Sequence, residues 1–318
     1  MYSLRVILAF ALVCSMVACT SKPKRSKSKN SGTTGSSATG RASSTPGAAG
    51  AGQVFLTALG RIVATDATRT AVRFSDSAAL GGLGGDWTAL AGYGATDAVL
   101  AQAQGAGIRS TQARYAVTAG TGPAVTGPVV TVLSGGQDPA AVKTALTAKG
   151  WTADGDRLVA PAAAGGAYPM VRAIGSDVLM GRDAALLATA DQAKSLAADP
   201  VLRSLAECLG GVVVAQYADT PADTIAVGAL RSGDGRTHAV VCSAWPSPSA
   251  AQGAAAAQKT AYWSYRSPID GQTPIAAQFD EVTVTVTGSV VRVDSVVARP
   301  DVVLDAFTGQ RLPYLRFQ

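Results

Sequence analysis

The residues able to do chemistry beyond packing are few, and histidine sets the first limit. His238 is the one histidine in the chain. Imidazole is the usual general acid or base near neutral pH, and a Ser-His-Asp triad could in principle be built on it. No Gly-x-Ser-x-Gly elbow is present to hold the serine, however. His238 also falls inside Thr237 to Ser243, a run that reads as one strand of a hairpin, where a lone histidine serves as a surface or packing residue. Glutamate is represented only by Glu207 and Glu281. The expectation is a protein with no catalytic residues.

The other groupings point the same way. Asp154 and Asp156 flank Gly155 as in a calcium loop, but the remaining ligands of an EF-hand are missing, so a tight turn is expected. Gly81-Gly82-Leu83-Gly84-Gly85 has the composition of a phosphate cradle. It lacks the Lys-Ser/Thr of a P-loop and does not fit the dinucleotide fingerprint, which leaves a flexible connection. No metal or cofactor is expected, since tetrahedral zinc wants more Cys or His than the chain supplies. In Tyr262-Trp263-Ser264-Tyr265-Arg266, three large rings and a guanidinium gather at a helix end. Aromatics and arginine dominate binding hot spots, so Tyr262, Trp263, Tyr265 and Arg266 form a candidate recognition patch. The alternative is rings packed against a sheet.

The N-terminus carries the strongest signal. Arg5 precedes an unbroken apolar run, Val6 to Val13, which continues through Cys14 and Ser15 to Met16-Val17-Ala18-Cys19. From Val6 to Ala18 is 13 residues, short of the roughly 20 needed to span a bilayer. The arrangement is that of a secretory signal. Met16 to Cys19 resembles the bacterial lipobox, although Met16 stands where leucine is usual. The resemblance implies a lipoprotein whose signal, residues 1–18, is removed and whose Cys19 is acylated, anchoring the chain on the extracytoplasmic face of the cell membrane. Cys14 then leaves with the signal, and two cysteines remain, Cys208 and Cys242. An even remainder outside the cytoplasm favours a Cys208–Cys242 disulfide.

Residues 19–52 read as a tether. Ser, Gly, Thr and Ala dominate it, and large apolar residues are almost absent, so it cannot offset its own ordering entropy. Residues 1–52 hold seven basic residues and no acidic one, leaving 20 basic against 21 acidic in the remainder. A nucleic-acid partner would need a basic excess on a folded face, so none is expected. Lys22, Lys24, Arg25, Lys27 and Lys29 lie close to Cys19, where each could gain roughly 1 kcal/mol beside an anionic membrane.

Residues 53–318 form the folded part, with a subdivision near 219 left open. Arginine outnumbers lysine there 16 to 4 and alanine is abundant, the bias of a high-GC genome, so alanine-based propensity carries little weight. Helices are expected at Val54 to Val63, Ala95 to Ala103 capped by Thr96, Pro139 to Gly150 capped by Asp138, Asp183 to Ala193, Asp199 to Cys208, Pro248 to Tyr262 and Pro300 to Phe307. Strands are expected at Ala71 to Phe74, Val129 to Leu133, Val171 to Ile174, Val178 to Met180 and Val212 to Tyr217. Hairpins turn at Asp154-Gly155-Asp156, Ser232 to Gly235 and Gly288-Ser289. Helices falling between hairpins without regular alternation predict an α+β fold, with antiparallel sheets, helices packed on one face and two similar subdomains.

Residues from about Leu146 to Asp219 resemble a domain of unknown function found in exported and membrane-anchored bacterial proteins. Gly150-Trp151, the strands around Val171 and Leu179-Met180-Gly181, Ser195 to Pro200, and Val213 to Tyr217 carry the resemblance. It covers a quarter of the chain, implies an exported α+β architecture and transfers no active site. The leading expectation is a non-catalytic lipoprotein binding a protein or envelope component. A lipid or small-molecule binder with a cavity is the second reading, and an envelope hydrolase built on His238 the third.

Overall fold

The chain enters the fold at α1 (Ala51–Leu59) and passes through β1 (Ala71–Ser75), α2 (Ser77–Leu83), α3 (Asp97–Ala103), β2 (Tyr115–Gly120) and β3 (Val129–Ser134). Next come α4 (Pro139–Ala148), β4 (Thr152–Asp154), β5 (Arg157–Val159), β6 (Met170–Ile174) and β7 (Asp177–Gly181). The remainder is α5 (Pro200–Leu209), β8 (Val214–Asp219), β9 (Thr224–Arg231), β10 (Thr237–Ala244), α6 (Pro248–Ser264), β11 (Asp280–Thr287), β12 (Val290–Val297) and α7 (Val302–Thr308). This is a computed structural model, and its described residues are 51–121, 127–162, 167–220, 224–264 and 275–312. They belong to one compact unit, Thr45–Gln318, which holds every strand and every apolar cluster among the described residues.

All the strands join one antiparallel sheet, in the order β11-β12-β10-β9-β8-β1-β2-β3-β7-β6-β5-β4. The α+β class follows directly. The order is also a palindrome of two halves. In the first, α1-β1-β2-β3-α4-β6-β7 lays its strands outward as β1-β2-β3-β7-β6. In the second, α5-β8-β9-β10-α6-β11-β12 lays them as β8-β9-β10-β12-β11. The first strand of each half meets the other at the centre, where Arg73 stands opposite Gln216 and Phe74 opposite Ala215. A division near 219 is therefore not observed: Asp219 ends β8, which bonds both β1 and β9 inside the sheet. The two similar halves change over just before α5.

Side chains alternate across a strand, so each strand supplies two cores. On one face Phe74, Val117, Val132, Ala215 and Cys242 pack beneath α1 and α5. On the other, Val227, Val241 and Phe307 centre one cluster, and Leu133, Leu146 and Met180 another. Helix α6 covers the outer hairpin through Ala251, Ala254 and Val291. Helices thus lie on both faces, whereas one-sided packing was expected. The cause is visible in the middle strands: β3 is buried at every position and β2 at all but Gly120, so neither face can be left to water.

Two local expectations are also corrected. Gly81 and Gly82 lie within α2, capped by Asp76, and Gly85–Leu90 forms a 3-10 helix, so this segment is structured rather than a flexible connection. Asp183 to Ala193 is not one helix but two short 3-10 turns, Ala184–Leu187 and Gln192–Lys194. The Asp183 and Asp191 carboxylates each accept the amide two residues on, restarting the chain at every turn. Strand β2 was not foreseen at all.

Candidate functional site

The two halves differ most between their first and second strands. Residues 220–223 join β8 to β9, whereas residues 76–114 join β1 to β2 and contain α2, the 3-10 helix Gly85–Leu90 and α3. Irregular insertions on a regular scaffold are where binding residues concentrate. Here the insertion builds a cleft.

The cleft has a volume of about 1020 Å³ and runs between the α2 side of the insertion and α3, with Ala141 of α4 closing its far wall. That lies at the upper end of the range typical of small-molecule sites, roughly 300–1,000 Å³. Ala89, Ala91, Leu100, Ala103 and Ile108 give it an apolar lining. Its polar lining is Ser77, Thr88, Gln104, Arg109, Ser110 and Thr111.

Its walls are fastened to the sheet. Both Ser75 and Ser77 hydroxyls donate to the Ala91 carbonyl, at 3.0 and 2.8 Å, and the Gly94 amide donates to the Ser75 hydroxyl at 3.0 Å. Thr118 of β2 donates to the Gly94 carbonyl at 2.8 Å. A β-carbon on Gly94 would sit 2.1 Å from the Ala116 carbonyl oxygen, so only glycine lets the segment lie this close. Behind α3, buried Tyr168 shares a hydrogen bond of 2.9 Å with the capping hydroxyl of Thr96. The far wall depends on Gly107, whose φ of +70° and close approach to the Ala141 carbonyl both exclude a side chain. Gln137, 7% exposed, bonds the backbone of Arg109.

Beside this cleft, Arg73 projects from β1 and stacks 5.7 Å from the centre of the Tyr93 ring. The Tyr93 hydroxyl donates to the Gln216 side chain on β8. Burial pushes its pKa up to about 12, against the opposing pull of Arg73 and the Thr308 hydroxyl.

The residues singled out from sequence lie elsewhere. His238 sits half-buried on β10, on the face covered by α1 and α5, with Nδ1 2.7 Å from an Asp294 carboxylate oxygen. Asp294 also receives Arg292 at 2.6 Å, and Arg292 reaches the Cys208 carbonyl. Thr283 and Thr285 line the shallow depression of about 350 Å³ in front of this pair. The His238 Nε2 is buried with no hydrogen-bond partner among the described residues. The site therefore holds a base and its orienting carboxylate, but no hydroxyl is hydrogen-bonded to the free ring nitrogen.

Cys208 and Cys242 are joined, with α-carbons 6.2 Å apart, tying α5 to β10. Tyr262 is 2% exposed, its ring edge-on to Phe279 at 5.3 Å, so it belongs to the core rather than to a surface patch. The Trp263 side chain, Tyr265 and Arg266 lie outside the described residues, as do Cys19 and the expected tether up to residue 50, whose last two residues instead begin α1. Asp154 and Asp156 pair with Arg157 at 2.8 Å and Arg172 at 2.6 Å, as turn residues do. Among the described residues no cluster of His, Cys, Asp or Glu could hold a metal ion, and no helix is long and apolar enough to cross a membrane.

Sequence reasoning missed the cleft residues Arg109, Leu100 and Ile108. The available signal was Gly105-Ala106-Gly107 ahead of Ile108-Arg109, two glycines marking a tight path after a helix. The chain matches no protein-family model, no curated protein and no solved structure.

Proposed function

We propose that this protein is a bacterial lipoprotein, anchored at the extracytoplasmic face of the cell membrane by acyl chains on Cys19, and that its folded unit is a non-catalytic binding module for a small apolar ligand. The observation that carries the binding assignment is the cleft of about 1020 Å³ formed by residues 76–111 and closed by α4. It favours an apolar ligand over a protein partner, because a concave, mostly apolar wall with a few polar groups is the usual form of a small-molecule site.

The anchor rests on the apolar signal and on Met16 to Cys19. The Cys208–Cys242 disulfide agrees with an oxidising compartment. The non-catalytic reading is supported at His238, whose partner Asp294 is shared with Arg292 and whose Nε2 meets no hydroxyl among the described residues.

Two measurements test the proposal. Solvent extraction and mass spectrometry of protein purified from the source envelope should release an apolar small molecule; empty protein that also fails to bind apolar fluorescent probes would defeat the binding assignment. Cys19→Ala should leave the protein unprocessed or release it to the medium, since two acyl chains are needed for stable insertion. A mature N-terminus at another residue, without lipid, would defeat the anchor.

A further inference from the structure

The chemistry of the cleft narrows the ligand further, granted that the cleft is a binding site. Arg109 is the single charged residue in its lining, where Ser110 and Thr111 follow it. Its Nη1 reaches Gln112 Oε1 at 3.3 Å. Lys149 reaches two neighbouring lining residues: Nζ lies 3.4 Å from the Gln104 carbonyl and would be 3.2 Å from a β-carbon on Gly105. Among the described residues neither cation lies within ion-pair distance of a carboxylate, and the cleft lining contains no acid. The Arg109 backbone is held from beneath by the buried amide of Gln137, so the guanidinium projects from a fixed point.

We infer that the cleft binds a single-chain anionic amphiphile, a long-chain fatty acid, with its carboxylate on Arg109 and its chain along Ala91, Leu100, Ala103 and Ile108. Apolar walls take the hydrocarbon without needing polar partners along its length. The planar guanidinium matches a carboxylate through two parallel N–H donors. The Lys149 ammonium adds a second positive charge at the mouth, which favours the ionised head over a neutral one. Asp97 and Asp138, the nearest carboxylates in sequence to α3 and α4, do not line the cleft, and Asp138 is occupied capping α4 through the Ala140 and Ala141 amides.

The test uses residues 45–318, which contain the whole sheet and all of its cores, with N-phenylnaphthylamine as a neutral fluorescent probe and palmitate and hexadecanol as competitors. Palmitate should displace the probe about tenfold more effectively than hexadecanol, the gain expected for one charge-assisted pair. Arg109→Gln should bring palmitate down to the level of hexadecanol; Arg109→Lys should retain part of the advantage. Ala89→Trp, which adds an indole to the cleft lining, should weaken binding of all three with the circular dichroism spectrum unchanged. Equal displacement by acid and alcohol, or an Arg109→Gln variant that behaves as wild type, overturns the head-group assignment and leaves the apolar site standing. Failure of the wild type to bind any of the three overturns both. Palmitate binding unaffected by Ala89→Trp places the ligand elsewhere and overturns the inference.

Discussion

The side-chain amide of Gln137 bonds both backbone groups of Arg109: Nε2 donates to the Arg109 carbonyl at 3.0 Å, and Oε1 accepts the Arg109 amide at 3.0 Å. The same Nε2 also donates to the Gly135 carbonyl at 3.1 Å. One buried side chain therefore joins the end of β3 to the mouth of the cleft. Gln137→Ala leaves these backbone groups without their partner, at a cost of about 1–3 kcal/mol. Urea unfolding should show a lower midpoint at unchanged slope, and palmitate affinity should fall with it.

Gly107→Ala tests the far wall of the cleft. Its φ is +70°, and the new β-carbon would lie 2.8 Å from the Ala141 carbonyl oxygen. Backbone strain of this kind costs about 1–3 kcal/mol. The expected outcome is a lower melting temperature together with altered probe affinity, since α4 must shift. A variant as stable as wild type would contradict the close packing at this point.

The Cys208–Cys242 bond closes a loop between residues 34 apart in sequence. In the chain-entropy picture that contributes about 4 kcal/mol, and measured values often fall below it. Cys208→Ser with Cys242→Ser should lower the melting temperature of the oxidised protein, and dithiothreitol should reproduce the loss in the wild type. Equal melting temperatures with and without reductant would show that the bond does not constrain the unfolded chain.

Alkaline pH should unfold the protein through its tyrosines. Burial holds Tyr93 up at about 12 and also raises Tyr217 and Tyr262. In the unfolded chain tyrosine ionises near about 10. Above that value the folded state binds more protons than the unfolded state, so stability is complete below about pH 10 and is lost as pH rises through about 12. Tyrosinate absorbance should therefore show a late phase coincident with loss of circular dichroism. Late-phase ionisation without unfolding would place these rings in contact with water.

His238→Ala should matter little. The substitution removes a hydrogen bond of 2.7 Å to Asp294, whose other oxygen keeps Arg292 at 2.6 Å. A partly exposed contact of this type contributes roughly 0–1 kcal/mol. Because His238 and the cleft lie on opposite faces of the sheet, probe and palmitate binding should be unchanged. Loss of the envelope phenotype with the fold retained would instead favour the hydrolase reading.

Most elements were legible where capping and turn chemistry are local. Thr96, Asp138 and Asp199 each cap the helix expected of them. Gly155, Gly235 and Gly288 supply the positive φ of the expected hairpins. Strand β2 left no such mark. Tyr115 to Gly120 mixes alanine, threonine and glycine without alternation, because both of its faces are buried and neither needs polar residues. Helix α2 was hidden by its glycines, yet Asp76 caps it through the Ala79 amide and Leu80 anchors it in the core. The cleft was less legible still. It depends on 76–111 meeting α4, a tertiary contact that no short stretch of sequence encodes, and its walls are alanines and glycines that read as composition bias.

The pairing of β1 with β8 has a mechanical consequence. The segment from α1 to β1 enters the sheet at its middle, where α1 packs against α5 and β1 is hydrogen-bonded along both edges. Tension transmitted through that segment does not reach β11 or β4 first, the two rims from which a sheet unzips one bond at a time. It must shear a whole row of backbone bonds together while dragging α1 out of the apolar layer it shares with α5. A domain loaded at α1 is thus gripped at its seam and not at its rims.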